Sequence, residues 1–203
     1  LIKRDLISPS MNVPAPDIGT SSREMAWIAD EYRKMHPADI NGAACVTGKP
    51  TSKNGLIGRE EATGRGVQYI VREFFRNPEL LKLCKLDNNL ATKTFILQGL
   101  GNVGYHLSKF LTEDDSVKLI GISEFNGGIY NEDGINVEHA KKYFSKHKSF
   151  ENYSKATFIK DSSLLLKRQC YTLIPAAREN VITEKNAEDI SAKLIVEAAN
   201  GPI

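Results

Sequence analysis

Six residues, Gly99-Leu100-Gly101-Asn102-Val103-Gly104, carry the spacing G-x-G-x-x-G, a pattern in which bare backbone can receive a diphosphate. Gly99 would permit a tight turn, Gly101 a close approach of the backbone to a pyrophosphate, and Gly104 close packing of helix on strand. A helix starting there adds N–H groups with no partner inside the helix, and a partial positive charge. Glu124 follows Gly104 by 20 positions, where a carboxylate can accept hydrogen bonds from the adenosine ribose hydroxyls. It would repel a 2′-phosphate, so NAD is the expected cofactor and NADP the alternative. A glycine turn in another α/β fold can share these letters. Here an apolar strand leads in, an apolar-patterned helix leads out and the acid is in register, so the dinucleotide reading is preferred.

Other residue types capable of chemistry give weaker signals. Asp17, inside Pro14-Ala15-Pro16-Asp17-Ile18-Gly19-Thr20, fits an acid/base group, and it also fits an ordinary turn or cap residue. Arg59 and Arg65 suit solvent or an anion equally, because the guanidinium grips phosphate and carboxylate in bidentate fashion. Lys49 reads as a loop lysine. His36, His106, His139 and His147 lack ligand spacing, so no metal is expected. Cys45, Cys84 and Cys170 lie far apart without C-x-x-C, which excludes a disulfide framework and suits a reducing compartment. Cys45 reads as a small buried residue. Lys141, Lys142, Lys146 and Lys148 read as the solvated face of a helix.

These residues need elements to position them. The spacing of Met25, Ile28, Ala29 and Tyr32 predicts a helix, capped by Ser21 or Ser22 with Glu24 in its first turn. A second helix is expected over 62–76, with Val67, Ile70, Val71 and Phe74 on one face and Asn77-Pro78 as its stop. From residue 94 strands and helices alternate: strands at 94–97, 117–122, 171–174 and 194–196, helices at 102–111 and 137–147, and a short hairpin at 127–130. Alternation of this kind predicts an α/β fold with a doubly wound, Rossmann-like parallel sheet. At 203 residues, 41% hydrophobic and 26% charged, the chain can bury a core, which excludes a disordered polypeptide. A net charge of +2 does not indicate a nucleic-acid surface. No apolar run is long enough to span a membrane. The chain opens on Leu1 and closes after an apolar strand-like run, and is expected to be an internal piece of a longer protein.

Several segments share more than the glycine loop. Pro14 to Thr20 with Met25-Ala26-Trp27-Ile28, Cys45-Val46-Thr47-Gly48-Lys49-Pro50, Gly58 to Val67, Gln98 to Gly104, Ile174-Pro175-Ala176-Ala177 and Glu197-Ala198-Ala199-Asn200-Gly201-Pro202 resemble, in order, the motifs of the glutamate dehydrogenase family. The likeness runs over nearly the whole chain from Asn12. It implies that Asp17 passes protons to and from the substrate amine. It also implies that Thr63 hydrogen-bonds near the nicotinamide, that Asn102 and Val103 lie on the pyrophosphate, and that Glu124 holds the ribose. Ala176 and Asn200 would line the cleft near the nicotinamide. The implied reaction is NAD(P)-dependent oxidative deamination of a small-molecule amino acid, glutamate above all, in a homo-hexamer in the cytoplasm or the mitochondrial matrix, with no nucleic-acid or membrane partner. Residues 1–48 would be the tail of the substrate and oligomerisation domain, and 49–203 a dinucleotide-binding domain incomplete at its end. Ala198 stands where the family pattern has glycine. The family's catalytic lysines belong to a glycine-rich stretch that nothing before Asn12 matches, so this piece alone is expected to be inactive. A branched-chain or aromatic amino-acid dehydrogenase and a non-catalytic dinucleotide-binding module are the alternatives.

Overall fold

The computed structural model describes residues 1–17 and 19–201. Ile18 and Pro202, each inside one of the motif segments quoted above, lie outside the described residues. The chain divides into two units, Leu1–Glu60 and Glu61–Ile203, whereas the sequence put the division after residue 48.

In the first unit one helix, α1 (Ser22–Met35), packs on a short 3-10 turn at Gly42–Cys45. Its start is fixed by a full capping box. The Ser21 side chain accepts from the first turn while the Glu24 carboxylate accepts from the Ser21 N–H at 2.7 Å. Met25, Ala29 and Tyr32, one stripe of α1, are buried against Cys45 and Val46. Burial pushes the Cys45 thiol up from its ordinary range, which suits an inert packing residue.

The second unit is built on a six-stranded sheet of order β4-β3-β2-β1-β5-β6. The strands are β1 (Thr94–Gln98), β2 (Lys118–Glu124), β3 (Gly127–Tyr130), β4 (Thr157–Ile159), β5 (Thr172–Pro175) and β6 (Leu194–Ile195). β1 pairs in parallel with β2 on one side and with β5 on the other, and β5 pairs in parallel with β6. The sheet is mixed, not wholly parallel as expected, because β3 and β4 run antiparallel. The cause is local. Only Phe125 and Asn126 separate β2 from β3, and a link that short can only fold the chain back as a hairpin.

Alternate residues along β1 face opposite sides of the sheet. Phe95 and Leu97 join a large apolar cluster with Leu107, Leu111 and Val71, whereas Ile96 joins a smaller one with Leu165, Cys170 and Leu173. Helices α2 (Ala62–Arg76), α4 (Asn102–Glu113) and α5 (Val137–His147) contribute to the larger cluster. The four-residue α6 (Ser163–Leu166) contributes to the smaller. Between α2 and β1, α3 (Pro78–Cys84) is capped by Asn77, whose side-chain oxygen accepts from Glu79 and Leu80 N–H at 3.0 and 3.1 Å. One residue thus ends α2 and begins α3.

The inward face of α2 departs from expectation. Gly64, Gln68, Val71 and Phe75 are buried, while Ile70 is 69% exposed. Gly64 sets this face, because a methyl group there would come within 2.7 Å of the Leu107 backbone nitrogen and 3.1 Å of the Val103 carbonyl oxygen. With α2 and α4 so close, Gln68 falls on α4. Its amide donates to the Phe110 carbonyl at 3.3 Å and to Asp115 at 2.6 Å, and accepts from Arg65 at 2.8 Å.

Candidate functional site

The glycine segment lies at the end of β1, the strand from which the sheet order runs outward in both directions. Gly99 leaves the strand in the left-handed region, φ +89°, which glycine adopts without penalty. Its N–H donates to the Ser123 carbonyl at 2.8 Å. A methyl group there would run into the Ala177 side chain, and the Ala176 carbonyl lies 3.3 Å from where that methyl would be. Ala176 N–H donates to the Gln98 carbonyl at 2.9 Å. The structure therefore brings Ala176 against Gly99 at the ends of β5 and β1.

The other two glycines differ in surroundings. Gly104, in the first turn of α4, is buried on the Gly99 carbonyl and the Leu97 side chain, leaving no space for a methyl group. At Gly101 nothing lies within 4 Å of where a side chain would start, and the residue is exposed. Gly101 is also the N-cap of α4 and makes no side-chain capping bond. The result is open backbone at a helix start, with tight backbone packing on either side. Asn102 is exposed and Val103 half-buried in the same turn.

Leu100 anchors the loop. Its side chain is 1% exposed. Its N–H donates to the Glu124 carboxylate at 2.6 Å and its carbonyl accepts from the Lys141 ammonium at 2.8 Å. The half-buried Glu124 thus touches the loop itself. Sequence reasoning missed Lys141, which it placed on a solvated face. The side chain is half-buried and reaches from α5 to the loop, passing 5.4 Å from the centre of the Tyr105 ring. Its spacing from other lysines could not reveal that its helical turn stands over Leu100.

Thr63 is exposed in the first turn of α2, next to Gly64 and so beside the Val103 end of α4. Asn200 is exposed in the coil beyond β6. Ala198 N–H donates to the Pro175 carbonyl at 2.8 Å, extending the pairing of β6 with β5, and its methyl packs on the larger apolar cluster. Arg65 is engaged by a carboxylate of this chain. It pairs with Asp114 and lies over the Phe110 ring, and it holds Asp114 below the usual carboxylate range, with Gln68 contributing.

Asp17 belongs to the first unit and is exposed. Its N–H donates to the Thr20 hydroxyl at 2.8 Å, and the Thr20 N–H returns to the Asp17 carbonyl at 2.9 Å. Pro16 packs so tightly on Gly48 that a methyl there would come within 2.6 Å of the proline ring. Thr47 N–H donates to the Pro14 carbonyl at 2.9 Å. Two segments distant in sequence, Pro14–Asp17 and Cys45–Gly48, are thereby joined. Lys49 donates to the Val46 carbonyl at 2.8 Å, as suits a loop lysine.

Residues 55–203 match the model of the Glutamate/Leucine/Phenylalanine/Valine dehydrogenase family, and residues 1–34 match its dimerisation-domain model. The chain belongs to this family. It is 47% identical over its whole length to the mitochondrial glutamate dehydrogenase of Dictyostelium discoideum, covering 40% of that protein. It is 40% identical over 97% of its length to the catabolic NAD-specific glutamate dehydrogenase RocG of Bacillus subtilis, covering 43% of it. Among solved structures, the hetero-hexameric glutamate dehydrogenase of Thermus thermophilus matches 97% of the chain at 25% identity and a TM-score of 0.80, covering 44% of that chain. The Plasmodium falciparum glutamate dehydrogenase matches at 26% identity and a TM-score of 0.77, with 97% and 42% covered. The chain thus spans about two fifths of the length of the dehydrogenases it matches. Among the described residues, no group of three His, Cys, Asp or Glu is placed to hold a metal ion, and no helix is long and apolar enough to cross a membrane.

Proposed function

We propose that the protein containing this chain catalyses NAD(P)-dependent oxidative deamination of an amino acid, glutamate above all, to the 2-oxo acid and ammonia. In this reading the second unit is a doubly wound, Rossmann-type dinucleotide domain, and the first is the tail of the substrate and oligomerisation domain of a homo-hexamer. The observation that carries it is the exposed, uncrowded backbone at Gly101, held between closely packed Gly99 and Gly104 where the sheet order turns outward. A diphosphate fits such a cradle, and any larger residue at Gly101 would put a side chain in its path.

A bound nicotinamide ring supplies the hydride acceptor for the substrate α-carbon. The chain's own residues do the rest. The Gly101–Val103 backbone would receive the cofactor's diphosphate, Glu124 would accept from its ribose hydroxyls, and Thr63, Ala176 and Asn200 would border its nicotinamide end. The amine becomes an iminium as the α-C–H bond breaks. Water then adds to that carbon and the C–N bond breaks, releasing ammonia and leaving the oxo acid. Asp17 moves the protons, a task for a carboxylate that can both stabilise and deprotonate a cationic nitrogen. The hydrogen bonds between Asp17 and Thr20 and the seat of Pro16 on Gly48 support that role by fixing the backbone on which the carboxylate is carried.

Asp17→Asn in the full-length protein tests the assignment. Turnover of glutamate is expected to fall by about 10²–10⁴-fold, with the NADH dissociation constant unchanged within about twofold. Unaltered turnover would remove Asp17 from the chemistry, and a parent protein that fails to bind NADH would remove the whole reading.

A further inference from the structure

We infer that Lys141 is a positioning residue for the cofactor, acting through the Leu100 peptide, an inference that rests on the dinucleotide reading above. Gly101 has no side chain and nothing packed where one would start, and its carbonyl, which accepts from the Tyr105 N–H at 3.1 Å, lies in the following peptide plane and not in that of its own N–H. The preceding residue decides which way that N–H points. A trans peptide holds C=O and N–H antiparallel, and the Leu100 carbonyl accepts from the Lys141 ammonium at 2.8 Å. Turning that carbonyl toward α5 turns the Gly101 N–H the opposite way. On the other side of Leu100, the 2.6 Å bond from its N–H to Glu124 fixes the Gly99–Leu100 peptide in the same manner. Both peptide planes flanking Leu100 are held by charged side chains, one from the end of β2 and one from α5.

The support of Lys141 is itself built. Tyr105, near whose ring the ammonium passes, donates from its hydroxyl to Glu138 at 2.7 Å, and Glu138 pairs with Lys109 at 2.9 Å. These contacts join α4, the helix that begins at the loop, to α5, the helix that carries Lys141. A hydrogen bond with an ionised partner is about twice as strong as a neutral one, and a backbone donor aimed in advance spares the ligand the cost of ordering it. The ammonium stands across the Leu100–Gly101 peptide from the diphosphate, close enough for its charge to act at low ionic strength, which no neutral donor would do.

Lys141→Met keeps the length of the side chain and removes the charge and the donors, while Lys141→Arg keeps both. Binding of NADH and of ADP-ribose to the full-length protein would be followed by fluorescence and calorimetric titration at low and high salt. Lys141→Met is expected to weaken both ligands by about tenfold and to flatten the salt dependence. Lys141→Arg is expected to restore affinity to within about threefold of the parent, with thermal midpoints of all three proteins alike. A parent that binds both ligands while Lys141→Met binds them equally well, with the same salt dependence, overturns the role of Lys141 and leaves the dinucleotide site standing. Failure of Lys141→Arg to recover affinity also overturns it. A parent that binds neither ligand overturns the dinucleotide reading itself.

Discussion

The Leu100 N–H donates to the Glu124 carboxylate at 2.6 Å, so the acid at the end of β2 is bonded to the second residue of the glycine loop. One oxygen of Glu124 therefore shapes the loop, and the carboxylate's charge bears on whatever lies over it. Glu124→Gln separates the two effects, because an amide oxygen still accepts from Leu100 while the charge is gone. Its preference for NADH over NADPH is expected to fall by about tenfold, equivalent to about 1.4 kcal/mol of removed repulsion, with the thermal midpoint unchanged. Glu124→Ala loses the loop bond as well and should weaken both cofactors. Titration with each nucleotide decides. An unaltered ratio in Glu124→Gln would mean that the carboxylate serves the loop alone.

Gly101 and Gly104, three positions apart, give opposite expectations for one added methyl group. At Gly104 it meets the Gly99 carbonyl and Leu97, and overpacking of this kind costs about 1–3 kcal/mol, read as a lower urea midpoint. At Gly101 it meets nothing within 4 Å, and φ −72° is open to any residue. Gly101→Ala should fold with unchanged stability and lose NADH affinity by about tenfold or more, since the methyl occupies the approach of the diphosphate. Normal NADH binding by Gly101→Ala would argue against a diphosphate at that point.

Much of this was legible in the residues, and the misses have physical causes. Spacing located helices 62–76 and 137–147 at the bounds the structure gives them, because each is amphipathic and stopped by its own cap. Ser21 and Ser22 ahead of Glu24 announced α1, and the cap is Ser21. The short elements α3, β4 and α6 escaped notice, since three to seven residues hold too little periodicity to register. Ile70 misled because four apolar residues suggested a face, whereas the close crossing at Gly64 turns Gln68 inward instead. The glycine loop and Glu124 could be read as a site, but Leu100 acts through its backbone and Lys141 through a tertiary contact. Neither leaves a trace in residue type.

Gln68 is fully buried yet polar, and its amide is satisfied by α4 and the residues after it. Gln68→Leu fills the space but takes one donor from the Phe110 carbonyl, which keeps the Asp114 N–H, and one from Asp115, which keeps Arg72, a loss of about 0.5–1.5 kcal/mol per bond. A chemical denaturation curve should show that loss. NADH affinity is expected to stay within about twofold if α4 keeps its start, because the damage lies toward the far end of the helix. Stability equal to the parent would mean that Arg65 and Arg72 alone satisfy Asp114 and Asp115.

The capping box of α1 supplies the pH dependence. Hydrogen bonds from Ser21 and then Arg23 lower the Glu24 carboxyl from 4.5 to about 2. A carboxyl whose folded value is depressed favours the fold fully above its unfolded value, and that contribution disappears as pH falls from about 4.5 to about 2. Glu24→Gln can still accept from the Ser21 N–H but cannot titrate. The thermal midpoint of the parent should therefore exceed that of the variant above pH 5 by a constant margin, and the gap should narrow as the medium is acidified through that window. Glu24 is half-buried but its partner Arg23 is largely exposed, so high salt should shrink the margin throughout. A gap that persists unchanged at the acid end would assign the stabilisation to side-chain packing rather than to the charged cap.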